Sequence, residues 1–297
     1  MSEDHTAPMP GEAPEVAVTD VAGPAAPQSR RRGALIATCI AAVAVCALGV
    51  AVFLVGRGDD GSGAEVRGFS LPAAAEASRA ATSVAYEMDV WSDDLAAVHV
   101  VGRIDAAADL ASMTVDMPGI GTVEMILDAR PTIVYLSASS LGPTLDAPTP
   151  WISVDISVAP GMAEAFAGGL VNPLEKAMVL LEPSNEVVDL GQEDFRGEQV
   201  RHYQVTSSLS AALRFNPALQ SELDRLGGEL PEQVVYHVYV TRDSQVRRLS
   251  YEVSTSAGTT SADMVYTAMN AADPIVVPAA DEVTDMTDVF ASVTSDD

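Results

Sequence analysis

Residues 110–128 read LASMTVDMPGIGTVEMILD, and their period decides the fold. Ala111, Met113, Val115 and Met117 alternate with Ser112, Thr114 and Asp116. Further on, Val123, Met125 and Leu127 alternate with Glu124 and Asp128. Side chains of a strand point to opposite sides in turn, so a period of two predicts strands with one apolar face and one polar face. Half-buried strands of this kind belong to antiparallel sheets.

The same period continues outward. In 84–91, Val84, Tyr86, Met88 and Val90 share one face, and Glu87 and Asp89 the other. Residues 97–104 and Ile133–Ser137 extend the set, with a turn at Ala129-Arg130-Pro131. Gly142, Pro143, Pro148 and Pro150 mark a loop before Trp151, and 152–156 reads as a strand. Strand patterns return at 186–190, 198–207, 233–241, 245–254 and 261–269, with Arg242-Asp243-Ser244-Gln245 as a hairpin turn. Helices are expected at 71–83, 161–168, 172–182 and near 217–226. In 172–182, Pro173 suits a first turn, and Leu174, Met178 and Leu181 lie on one face. From Pro274, two prolines frame Ile275–Val277, and an acidic tail follows. Roughly ten strands with a few helices between and before them describe an α+β chain: a large curved antiparallel sheet with helices on one face. No repeat of 20–50 residues is evident.

Ahead of the sheet lies an uncharged apolar run, Ala34 to Gly56, ALIATCIAAVAVCALGVAVFLVG. As a helix at about 1.5 Å per residue it is roughly 34 Å long, enough to cross a ~30 Å hydrocarbon core. Arg30, Arg31 and Arg32 precede it, whereas Arg57 is followed by Asp59 and Asp60. The positive-inside rule puts the N-terminus in the cytoplasm and the large C-terminal part outside. The alternative is a cleaved signal peptide, with Ser62-Gly63-Ala64 as its small-residue site, but its apolar region would be shorter. Cys39 and Cys46 lie mid-run, after Thr38 and Val45, which does not suit lipidation.

The expected layout is a disordered cytoplasmic tail (1–33), a transmembrane helix (34–56), a flexible tether (57–69), an extracytoplasmic domain (70–291) and an acidic tail (292–297). Pro8, Pro10, Pro14, Pro24 and Pro27 stand among small and acidic residues in the first segment. Both cysteines fall in the apolar run, so the outer domain has no disulfide and must be stable through its core. Of 16 Lys+Arg, 13 follow the run, and of 42 Asp+Glu, 37 follow it, a net charge of −24. Such a surface repels phosphate backbones, which excludes nucleic acid as a partner. It admits a cationic partner. It equally reflects an acidic, lysine-poor surface composition, since Lys176 is the one lysine.

No motif for catalysis stands out. His99, His202 and His237 sit inside strand patterns, and His5 lies in the N-terminal tail. There is no G-x-S-x-G, no H-E-x-x-H, no phosphate-binding glycine loop and no cysteine ligand set. Asp59-Asp60 and Asp93-Asp94 lack the loop glycine and distal glutamate of a calcium site. A non-enzyme without cofactor or metal is the expectation. Nine of the 11 methionines lie in the outer domain. Flexible thioethers suit either an adaptable apolar pocket or an ordinary core.

From 172 the chain reads NPLEKAMVLLEPSNEVVDLGQEDFRGEQVRHYQV. A helix is followed by Val187, Gly191, Glu193, Gly197, His202, Tyr203 and Val205 in fixed spacing. PWISVDIS stands upstream, and LPEQVVYHVYVTRDSQVRRLSYEV and DPIVVPAADEV downstream. Together these resemble actinobacterial cell-envelope lipoproteins that carry glycolipids, a family related in fold to the periplasmic lipoprotein carriers of Gram-negative bacteria. The resemblance spans about 70–290. It implies a half-barrel sheet whose concave face is covered by helices, with an apolar cavity for acyl chains. The residues it would bring to that cavity are Tyr86, Met88, Val90, Met113, Val115, Met125, Leu127 and Tyr135, with Met178 and Leu181 from the covering helices. His202-Tyr203 reads as a structural pair after a tight turn at Gly197.

The family's lipidated cysteine is absent, and the apolar run stands in its place. An anchored domain suits lipid binding or sensing better than shuttling between membranes. The expected function is thus a membrane-anchored domain binding lipid or lipoprotein acyl chains. The alternative is an envelope structural or protein-docking module with a filled core. Expected partners are the membrane, a lipid or glycolipid, and an envelope protein.

Overall fold

The computed structural model describes residues 68–92, 95–117, 121–130, 132–141, 147–158, 186–208, 232–255 and 258–294. Helix α1 (Leu71–Arg79) opens them, capped by Ser70, whose Oγ accepts the Ala73 amide at 3.3 Å. Twelve strands follow: β1 (Ser83–Ser92), β2 (Leu95–Asp105), β3 (Leu110–Met117), β4 (Gly121–Asp128), β5 (Ile133–Ser137), β6 (Trp151–Asp155), β7 (Glu186–Phe195), β8 (Glu198–Ser208), β9 (Gln233–Thr241), β10 (Val246–Thr255), β11 (Gly258–Met269) and β12 (Val283–Asp285). Helix α2 (Thr287–Thr294) comes last.

All twelve strands join one large, open, curved sheet of half-barrel form, in the order β12-β6-β5-β4-β3-β2-β1-β11-β10-β9-β8-β7. Strands β1–β6 form one meander and β7–β11 another, and the two meet where β11 pairs with β1. Every pairing is antiparallel except β12 with β6. Local chemistry fixes the turns. Arg196 and Gly197 both have positive φ, 52° and 83°, as a two-residue hairpin with right-handed strand twist requires. The Gly197 amide donates to Asp194 Oδ1 at 3.1 Å to close that turn. The turn between β9 and β10 is tied to α1, because the Ser70 amide donates to Ser244 Oγ at 3.2 Å.

Register makes one face apolar from end to end. One row runs Tyr203–Val238–Leu249–Met264–Met88–Val100–Val115–Val123. A parallel row runs Tyr86–Gly102–Met113–Met125–Leu136–Ile152. Apart from Gly102, which has no side chain, and Tyr203, which is partly buried and packs against them, these residues belong to the buried core cluster together with Leu71 and Ala74 of α1 and Phe290 of α2.

The structure departs from the sequence expectations in four places. The described residues alone hold twelve strands, where roughly ten were expected. Helix α1 ends at Arg79, not at 83. Strand β7 continues to Phe195, past a bulge at Gly191, because pairing with β8 holds it where the side-chain pattern lapses. Strand β12 and helix α2 occupy the stretch after Pro274, where no element was expected, and α2 takes in residues 292–294 of the expected acidic tail. The helices expected at 161–168, 172–182 and 217–226 lie outside the described residues, as does the apolar run Ala34–Gly56. Among the described residues no helix is long and apolar enough to cross a membrane.

Candidate functional site

The apolar face is the first candidate. Tyr86, Met88, Met113, Val115, Met125 and Leu127 are all buried on it, and Val90 packs against its margin. Tyr135 is a correction. It pairs with Ile126 and Ser153, while its neighbours Val134 and Leu136 take the apolar face, so its side chain lies on the opposite face. Met178 and Leu181 fall outside the described residues. Two phenols show how dry the apolar face is: burial pushes both the Tyr236 and Tyr266 hydroxyls well above the ordinary tyrosine range. Four buried methionines, Met88, Met113, Met125 and Met264, give this surface unbranched side chains that repack at small cost.

The opposite face carries a polar cluster that no single stretch of sequence announces. His202 of β8 and His237 of β9 meet with Nε2 and Nδ1 at 2.9 Å. Tyr239 stacks on His202 at 4.2 Å, and Glu193 lies 3.5 Å from His202 Nδ1. The Arg248 guanidinium lies 4.9 Å from the Tyr239 ring centre and donates to both oxygens of Asp263, at 2.7 and 2.8 Å. The β7–β8 turn is fastened over this face, since Arg196 donates twice to Glu87 Oε2 of β1, both at 3.1 Å. His202-Tyr203 is expected from the sequence to be a structural pair. The two side chains fall on opposite faces, and the Tyr203 hydroxyl donates to the Phe69 carbonyl at 2.7 Å.

Burial holds the His202 pKa below its ordinary value, and His237 and Arg248 push the same way against the opposing pull of Glu193. Between the folded and unfolded values, the unfolded chain binds a proton that the folded chain does not. The stability contributed by neutral His202 is therefore present above about pH 6.5 and is lost as pH falls through the folded value. Urea midpoints taken from about pH 7.5 to about pH 5 should fall less steeply in His202→Gln than in the parent chain. Equal slopes would show that His202 titrates as it does in the unfolded chain.

Beside this cluster the opposite face holds a shallow open groove of about 490 Å³. Two rows floor it. One is Ala85–Arg103–Ser112–Ile126, and the other is Glu87–Val101–Thr114–Glu124, with Trp151 at the far side. Among the described residues no group of three or more His, Cys, Asp or Glu side chains is arranged to hold a metal.

No protein-family model matches the chain, and no curated protein matches it. Among solved structures it is similar to the lipoprotein LppX of Mycobacterium tuberculosis, at 12% identity over 70% of this chain and 95% of that one, with a TM-score of 0.43. It is similar to LprF of Mycobacterium bovis, at 12% identity over 70% and 94%, with a TM-score of 0.44. A LolA superfamily protein of Nitrosomonas europaea is more distant, at 10% identity over 69% and 93%, with a TM-score of 0.25. At these scores the likeness is one of chain course and says nothing about a ligand.

Proposed function

We propose that the chain is a membrane-anchored, extracytoplasmic, non-catalytic domain that binds lipid or lipoprotein acyl chains on the apolar face of its sheet. Its setting would be the handling or sensing of cell-envelope lipid. The observation that carries the reading is the continuity of the apolar face from β8 to β6, with four methionines set into it. An acyl chain needs a long dry surface and no hydrogen-bond partners. The sheet's own ladder satisfies its backbone, so covering elements can part from the face without breaking the strands. The anchor rests on the apolar run Ala34–Gly56 and its flanking arginines.

A second reading has an observation of its own. Val84, Val115, Val123, Leu136 and Ile152 are fully buried by the chain itself. A filled core of this kind suits a structural or protein-docking module of the envelope. Native mass spectrometry with lipid extraction separates the two, using residues 66–297 made in a host with a cell envelope. Near-stoichiometric acyl-chain species are the expected result. A bare mass that stays unchanged after incubation with envelope lipids would sink the lipid reading and leave the docking module.

A further inference from the structure

The groove on the opposite face contains two charges of opposite sign that do not pair. Of the other arginines, Arg130, Arg196, Arg201, Arg247 and Arg248 each hold a carboxylate, and Arg242 lies over the Phe69 ring at 5.9 Å from its centre. Arg103 lines the groove half-buried and, among the described residues, has no ion pair or hydrogen bond, in a chain of net charge −26. The side chain of Glu124, lining the same groove, likewise has no partner there; only its backbone amide is engaged, by Ser140 Oγ at 3.1 Å. Ser112 stands opposite Arg103, and Thr114 opposite Glu124, so hydroxyls border both charges. Trp151 lines one side, and Val101 stands 47% exposed on the floor.

We infer that this groove binds a pyranose ring. An anion site would not keep a free carboxylate in its wall, and a cation site would not keep a free guanidinium. A neutral ligand that is both donor and acceptor uses both. Each sugar hydroxyl donates one hydrogen and accepts through its lone pairs, matching Glu124 as acceptor and Arg103 as donor. The C–H face of a pyranose is apolar and flat enough to lie on an indole, whose face is electron-rich, and Val101 extends that apolar contact. The groove is within the ~300–1,000 Å³ of small-molecule sites and holds one or two rings. It lies across the sheet from the apolar face, so it stands whether or not that face takes lipid.

The test uses the full chain carrying Trp91→Phe, which leaves Trp151 as the sole indole. The chain is held in a detergent without a sugar headgroup. Trp151 emission is followed while methyl glucoside, methyl mannoside, methyl galactoside, maltose or inorganic phosphate is added. At least one sugar should give a saturable change by about 10 mM, a tenfold margin over the millimolar scale of weak binding. Arg103→Ala and Glu124→Gln should each weaken it about tenfold with far-UV circular dichroism unchanged. Glu124 is exposed, so its amide variant keeps the fold. No saturation with any sugar, saturation with phosphate alone, or unchanged sugar binding in both variants would overturn the inference.

Discussion

Phe290→Ala should lower the stability of the sheet domain by about 3–5 kcal/mol, the range for removing a buried phenylalanine. Phe290 is 0% exposed and is the one aromatic ring that α2 sends into the core cluster. The helix is short and would not hold its form alone, so its packing must be what keeps it in place. Its start is fixed from both sides. Asp285 Oδ1 accepts the Thr287 amide at 2.9 Å, and Thr287 Oγ1 accepts the Asp155 amide of β6 at 2.9 Å. The Met286 amide donates to the Ser153 carbonyl at 2.8 Å, so the segment before the helix is stitched to the same strand. The residue thus couples the C-terminal helix to the β6 end of the sheet. Domains are stable by roughly 5–15 kcal/mol, and this loss would remove a large part of that margin. Urea midpoints of the two chains measure it. A loss under about 1 kcal/mol would mean that α2 is not docked on the core.

The sheet was legible because most of its strands carry a clean period of two. In β1, β3 and β4 the polar residues set the phase, and the face assigned to Met88, Met113 and Met125 is the buried one. Tyr135 fails for the same physical reason. Residues 133–137 read IVYLS, apolar on both sides, so nothing in the pattern sets the phase. The pairing of Leu136 with Met125 decides it instead, and turns Tyr135 outward. The far half of β7, QEDF, has no alternation and is a strand because β8 pairs with it. Strand β12 has three residues, too few for any period. The His202–His237–Tyr239–Arg248–Asp263 cluster draws on four strands, and the groove on six, with Thr267 of β11 the sixth strand's contribution. Their spacing in sequence means nothing until the register is known.

Gly102→Val should cost about 3 kcal/mol, at the upper end of overpacking. Gly102 lies between Tyr86 on β1 and Met113 on β3. A Cβ there would meet the Tyr86 ring at 2.2 Å from Cζ, 2.4 Å from Oη and 2.6 Å from Cε1. Glycine in a strand interior weakens it and marks a place where something approaches closely. Here the close neighbour is an aromatic ring laid across the glycine, so the ring covers the backbone that the missing side chain leaves bare. Tyr86 is 3% exposed, and its strand neighbour Tyr266 is buried beside it, so the ring has no open space to swing into. The clash should therefore be felt already by Gly102→Ala. A double-mutant cycle isolates the contact. Tyr86→Ala alone should cost about 3–5 kcal/mol, and Gly102→Ala added to it should cost little or nothing more. A coupling of about 1–3 kcal/mol between the two positions is the expected result. Equal effects of Gly102→Ala with and without the ring would show that Tyr86 does not lie over the glycine. The same cycle bears on the proposed ligand face, because Tyr86 stands in the middle of it. If acyl chains bind there, the ring must stay or move as one unit with the row Gly102–Met113–Met125, and the Gly102→Ala chain should copurify with less lipid than the parent.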